Sequence, residues 1–234
     1  MRIGVALSGG GIRGIAHAGA LKAFEENGIR VDVIGGTSSG SLVAVLYAMG
    51  YTPYYIYMLF KRYAQELVSV DTTPIINTVG SFITNKKLPI YGFNSGRSIE
   101  KAYNEIALRK GVKVMKDIKM PVVIPAVDIK SSKKFVFNNV KNGSIYISDS
   151  PVGTAVRASC SFPGVFCPCV YKEYSFLDGG ILDNIPVNEV RKFGADKVLA
   201  INFKADNIDE SENDTSEKDA DKVRKESDKN INKF

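Results

Sequence analysis

Apolar residues in this chain come in short runs that end on glycine. Residues 2–7, in "MRIGVALSGG", read as a buried strand passing into a glycine loop, and "VDVIGG" (31–36) as a second strand of the same kind. Between them, "IAHAGALKAFEENG" sets Ile15, Leu21 and Phe24 at helical spacing, with Gly28 where a helix commonly gives way to a left-handed turn. "SGSLVAVLYAMG" is apolar nearly all round, the pattern of a largely buried helix, and stops at Gly50. Strand, helix, strand, helix at this spacing predicts a parallel sheet, since a helix supplies the crossover that parallel strands need.

Thr52 and Pro53 open the next helix as N-cap and first helical residue, and Tyr54, Tyr55, Tyr57, Met58, Phe60 and Tyr63 give it more aromatic surface than one buried face needs. Residues 67–94 alternate turn residues with apolar pieces, which fits a cap over a site or a long connection. "SGRSIEKAYNEIALRKG" restores a helix, with Ser95 or Ser98 at its start and Gly111 at its end. "MPVVIPAVDI" and "KKFVFNN" read as strands, "SPVGTAVRASCSFPGVFCP" as a helix that breaks at Pro163, "EYSFLDGG" as a strand ending on a glycine pair, and "KVLAINF" as the last strand.

The pattern changes at residue 205. Residues 1–204 are expected to be one α/β domain, and 205–234 a charged, flexible tail in which Ala220, Val223, Ile231 and Phe234 could line one face of a weak helix. A chain of 234 residues with 44% hydrophobic side chains has room for one sizeable core. The whole chain carries +6, and residues 205–234, with ten acidic and six basic side chains, carry −4, so residues 1–204 carry +10. A basic body attracts polyanions, nucleic acid and anionic lipid alike. No apolar run reaches the length of a bilayer span, and the first residues lack the pattern of a secretory leader, so a cytoplasmic protein is expected. Cys160, Cys167 and Cys169 sit close together, far from the single histidine, His17, which does not make the paired spacing of a zinc site. Free thiols, no metal and no cofactor are the expectation.

Candidate chemistry lies at two strand ends. Gly36-Thr37-Ser38-Ser39-Gly40 fits G-x-S-x-G, the sharp strand-to-helix turn that exposes a serine nucleophile. Shifting the frame to Ser39 would put Thr37 and Ser41 where only glycine allows strand and helix to cross closely, so Ser38 is the candidate, at a helix N-terminus that favours developing negative charge. Gly9 to Gly14, "GGGIRG", fits the dinucleotide fingerprint G-x-G-x-x-G, but Asp32 stands at the start of the second strand rather than at its carboxyl end, where a ribose ligand belongs. Ile15 replaces the lysine that a P-loop requires. As an oxyanion hole the same glycines would offer backbone N–H groups beside the serine. His17, three residues into its helix, is expected to pack against the neighbouring strand rather than serve as base. That leaves carboxylates: Asp178 in "LDGG" is best placed, with Asp183, Asp149 and Asp128 read as turn or strand-end residues.

Taken in order, "SGGGIRGIAHAGAL", "GGTSSGSL", "ASCSFPGVFCP" and "DGGILDNIPV" resemble the patatin-like phospholipase family, closely its bacterial members, over about residues 1–202. The resemblance implies a three-layer α/β/α sandwich with a mostly parallel central sheet, and a serine lipid acyl hydrolase with a Ser/Asp dyad and no histidine. Carried over, Ser38 is the nucleophile between elbow glycines Gly36 and Gly40, Asp178 the general base, and Gly9, Gly10, Gly11, Arg13 and Gly14 the oxyanion loop. It implies a phospholipid or lysophospholipid substrate and peripheral contact with an anionic membrane surface, and no nucleic acid. The block usually rich in alanine before its proline here reads Ser159-Cys160-Ser161-Phe162. Three other readings stand beside it: a nucleotide- or phosphate-binding module built on the glycine loop, a catalytically inactive family member acting as an interaction protein, and an acyl transferase using the same residues.

Overall fold

The computed structural model describes residues 1–68, 92, 94–141 and 143–203. The expected cap over 67–94 lies almost wholly outside these residues, as does the charged tail from 205.

Alternation along each strand sorts residues onto two faces of one eight-stranded sheet. In β1 (Ile3–Leu7), Val5 and Leu7 face the main core and Ala6 the other side; β2 (Val33–Gly36), β3 (Val122–Asp128) and β4 (Lys134–Asn138) repeat this with Ile34 against Val33, Ile124 against Val123, and Phe137 against Val136. The main core is packed by helices α1 (Ala16–Glu26), α2 (Ser39–Ala48), α3 (Pro53–Val68), α4 (Arg97–Leu108) and α5 (Val152–Ser159). The opposite face carries α6 (Val187–Lys192), whose Val190 packs with Ala6, Val33, Val123 and Val136. Helices thus flank the sheet on both sides. Phe137 and Phe176, both fully buried, meet edge to face at 5.2 Å in the main core, and burying each is worth about 2–3 kcal/mol.

Strand order is β5-β4-β3-β2-β1-β8, with β5 at Tyr146–Ile147 and β8 at Lys197–Ile201. The run β3-β2-β1-β8 is parallel, as the sequence pattern predicts. The hairpin β3-β4 is antiparallel, as is the pairing of β6 (Cys169–Tyr171) with β7 (Tyr174–Asp178) and of β7 with β3. The short strands β5 and β6 and the helix α6 carry too few residues to show a period, and the sequence reading has none of them. Helix α5 ends at Ser159, before Pro163. Gly28, Gly50 and Gly111 all have positive φ just beyond the helices they were expected to end, and the Tyr55 N–H donates to the Thr52 hydroxyl at 3.3 Å as an N-cap should.

Candidate active site

The strand ends of β1 and β2 lie side by side, with Leu7 paired to Gly36. From Gly36 the chain turns through Thr37 and Ser38 into α2. Ser38 has φ 52° and ψ −124°, a backbone conformation that L-residues adopt at a cost of about 1–3 kcal/mol. Any Cβ at Gly36 would lie 2.2 Å from the Gly40 carbonyl oxygen, and one at Gly40 would lie 2.5 Å from that of Leu7. Strand and helix cross so closely that only glycine fits at both flanks, which fixes the frame of the turn on Ser38. The strained residue is pinned on both backbone groups: its N–H donates to the Ser159 hydroxyl at 3.0 Å, and its carbonyl accepts from the Ser41 hydroxyl at 2.6 Å.

Asp178 reaches this turn from the far end of the sheet. β2 pairs with the first residues of β3 (Val122 and Val123), and β7 runs in the opposite sense along the last (Ala126 to Asp128), so the carboxyl ends of β2 and β7 approach each other along β3. Pro125 occupies the gap between them. Its carbonyl points at Gly179, and in a strand the N–H it lacks would point the same way, where no ladder partner stands. That explains a proline inside a central strand.

The Asp178 N–H donates to the Ser161 carbonyl at 3.0 Å, and its Oδ1 accepts from the Gly180 N–H at 2.7 Å. Oδ2 is buried and has no hydrogen-bond partner among the described residues. Burial raises the carboxyl pKa to about 6, against the opposing influence of the Ser38 side chain and the Gly180 N–H.

The glycine loop closes the third side. The Gly9 N–H donates to both the carbonyl and the Oδ1 of Asn184, each at 3.2 Å, whereas the N–H groups of Gly10 and Gly11 meet no acceptor among the described residues. Arg13 turns away to the Phe203 carbonyl (3.2 Å) and ring, and Gly14 packs beneath the loop against Ser39, so these two brace the loop without lining the cavity. The turn after Asp178 is itself tied in: the Thr37 hydroxyl donates to the Asp183 carbonyl at 2.8 Å, and the Asp183 carboxylate pairs with Lys134 at 2.7 Å.

One cavity of about 530 Å³ collects Ser38, Asp178, Gly9, Gly10, Gly11 and Asn184, with apolar walls that include Leu42, Phe60, Ile99 and Phe166. Asn184 and Ser159 are the residues that sequence reasoning missed. Each is one polar residue in a stretch whose pattern gives it no local role, and its partner lies far along the chain.

The remaining candidates have structural partners. His17 is fully buried, its Nε2–H donating to the Ser8 carbonyl at 2.8 Å and its ring against Phe203; burial holds its pKa below the usual histidine value, opposed by that hydrogen bond. Asp128 accepts from Ser131 and Ser175, Asp149 pairs with Lys172, and Asp32 accepts from the Ile3 N–H and pairs with Arg30. Cys160, Cys167 and Cys169 are free thiols; burial pushes Cys160 up strongly and Cys169 to about 11. Among the described residues, no group of His, Cys, Asp and Glu could hold a metal ion, and no helix is long and apolar enough to cross a membrane.

Comparison with known proteins bears on the family and the fold. The family model described as patatin-like phospholipase matches residues 5–191. The lysophospholipases NTE1 of Meyerozyma guilliermondii and Candida albicans are each 33% identical over 85% of this chain, which spans only 12% and 13% of their respective lengths. In fold, VipD from Legionella pneumophila superposes with a TM-score of 0.56 at 14% identity, over 85% of this chain and 49% of that one.

Proposed function

The chain belongs to the patatin-like phospholipase family, and on that premise we propose that it is a serine lipid acyl hydrolase working through Ser38 and Asp178. Its substrate is an acyl ester of a phospholipid or lysophospholipid; the name of the relatives at 33% identity favours lysophospholipid as the first to test. The observation that carries the reading is the Oδ2 of Asp178, without a partner among the described residues and buried in one cavity with the strained Ser38 and with Gly10 and Gly11, whose N–H groups meet no acceptor among those residues.

A carboxylate whose pKa is about 6 cannot hold a serine alkoxide in advance, so deprotonation accompanies attack. The Ser38 Oγ bonds to the ester carbonyl carbon as its proton passes to Asp178 Oδ2, while Oδ1 stays with Gly180. The carbonyl electron pair moves onto oxygen, where the N–H groups of Gly10 and Gly11 and the N-terminus of α2 offset its charge. Collapse of this intermediate breaks the bond to the alcohol, which leaves with the proton from Oδ2, and the acyl group remains on Ser38. Water then gives its proton to Asp178 and attacks the acyl-enzyme, and as the acyl–oxygen bond breaks that proton passes from Asp178 to the Ser38 Oγ, releasing fatty acid and restoring both residues. Raising the Asp178 pKa toward neutrality strengthens the base while leaving it ionised at neutral pH.

Incubation with mixed phospholipids and lysophospholipids, followed by mass spectrometry of the products, tests the proposal. Fatty acid release by the wild type, abolished in Ser38→Ala and in Asp178→Asn, is expected. Equal release by all three proteins would remove both residues from the mechanism.

A further inference from the structure

Asn184 sits on the stretch between β7 and α6, and its side-chain amide has one settled orientation. The Gly9 N–H donates to its Oδ1 at 3.2 Å, and only the oxygen of an amide can accept that bond. Nδ2 is the end left over. It meets no acceptor among the described residues, in a side chain that is exposed and lines the cavity. The amide also stands beside the reacting groups: a Cβ on Gly9 would lie 2.6 Å from Asn184 Oδ1 and 3.1 Å from Ser38 Cβ, and one on Gly180 would lie 3.1 Å from the same Oδ1 and 3.0 Å from Asp178 Oδ1. Glycine at both positions makes room for this side chain.

The sheet sorts the two halves of an ester held at Ser38. The apolar walls Leu42, Phe60, Ile99 and Phe166 come from the side of the sheet that α2, α3 and α4 cover, and an acyl chain belongs against them. Asn184 leads into α6 on the opposite side, where Pro186 and Val190 close over Gly35. With the acyl half so placed, the alcohol half falls to the Asn184 side. An amide donor has nothing to offer a bare alkyl group there, whereas a hydroxyl or phosphate oxygen accepts from it.

We propose that Asn184 is a specificity-determining residue whose Nδ2 donates to an oxygen of the leaving alcohol beyond the ester bond itself. The role rests on the hydrolase reading of the site. It selects esters whose alcohol carries a hydroxyl or phosphate oxygen close to the ester over simple alkyl esters of the same acid. Oδ1 engages the loop and Nδ2 the substrate, so the bond from Gly9 holds the donor in place before substrate arrives.

Hydrolysis of ethyl laurate, monolauroylglycerol and lauroyl lysophosphatidylcholine by the full chain, in the same detergent micelles, tests this. The readout is the ratio of kcat/KM for each glycerol ester to that for the ethyl ester. In Asn184→Ala every rate should fall, because Gly9 loses one of its two acceptors, and the ratio should fall about tenfold for an ester whose oxygen Nδ2 binds. A fall for both glycerol esters makes that oxygen the glycerol hydroxyl; a fall for the lysophospholipid alone makes it the phosphate. Asn184→Asp keeps an acceptor for Gly9 and replaces the donor with a carboxylate oxygen. Its ratio should fall for lysophosphatidylcholine, whose phosphate it repels, and stay near wild type for monolauroylglycerol, whose hydroxyl can donate to it. Any effect of the added charge on Asp178 is common to the three esters and cancels in the ratio. Labelling of Ser38 by a fluorophosphonate probe reports that each variant folds. Ratios that stay at the wild-type value in both variants, whether or not the rates fall together, would leave Asn184 a brace of the glycine loop and overturn the proposal. Release of fatty acid from none of the esters by the wild type would overturn the hydrolase reading, and the role of Asn184 with it.

Discussion

The backbone N–H of Ser38 donates to the hydroxyl of Ser159 at 3.0 Å, across 121 residues of chain. Two residues further on, the Ser161 carbonyl accepts the N–H of Asp178. One short stretch at the end of α5 therefore holds the proposed nucleophile and the proposed base by their backbones, with Cys160 between them lining the cavity. Hydroxyls at 159 and 161 in place of an alanine-rich block gain a structural reason at the first position, where the hydroxyl is the acceptor for a strained residue.

Replacing Ser159 with alanine leaves that N–H without its acceptor, at a cost of about 1–2 kcal/mol in holding the turn. Turnover should fall about tenfold, because the cost bears on placement of the attacking oxygen. KM for a short ester should change little, and labelling by a fluorophosphonate probe should slow in parallel with kcat. A variant that labels at the wild-type rate would mean the hydroxyl does not position Ser38.

The pH profile should report Asp178. Acting as a base, it must be ionised, so activity should rise with pH through about 6, the value to which burial lifts its carboxyl, and then level off. Histidine titrates in a similar range, and His17→Gln separates the two. An unchanged midpoint in that variant assigns the limb to the carboxylate; a lost limb would give His17 the role of base.

Asp178→Asn should stabilise the protein while abolishing turnover. Native Asp178 binds its proton as pH falls through about 6, whereas the unfolded carboxyl does so near 3.8. Above about 6 the folded protein therefore carries the full cost of a buried charge, on the order of 2–3 kcal/mol, and this cost disappears as pH falls toward 3.8. Denaturant unfolding of the pair should show the variant more stable at pH 7–8, with the difference closing near pH 4. A difference that is constant with pH would dissociate it from this carboxyl.

Glycine substitutions should divide sharply by position. Gly36→Ala forces a Cβ against the Gly40 carbonyl at 2.2 Å, and should cost at least about 3 kcal/mol in denaturant unfolding. Gly19→Ala, inside α1 with nothing within 4 Å of the new methyl, should add about 0.5–1 kcal/mol. Similar outcomes at the two positions would contradict the close crossing of β2 and α2.

Much of the site was legible from adjacent residues because its constraints are local. The turn at Ser38 announces itself in glycines two positions to either side, and the helix stops at Gly28, Gly50 and Gly111 follow from the same left-handed preference. The glycine loop was legible as a loop but not in its division of labour. Gly9 gives its N–H to Asn184, Gly10 and Gly11 give theirs to no acceptor among the described residues, and Arg13 braces the loop from behind. Nothing in "GGGIRG" distinguishes these, because the distinction is made by a residue some 175 positions away.

By itself the sequence determined the longer strands and helices in their order, the parallel run at the centre of the sheet, and the identity of the strained serine. Hydrophobic period and glycine tolerance act over a few residues, so they are written where they act. Only the tertiary structure decided that β7 would run against β2 along the edge of β3, delivering Asp178 to Ser38 and leaving Pro125 in the gap. Strand pairing between distant segments has no local code: it is settled by which faces can be buried together, and the basicity of Asp178 arises from that same burial.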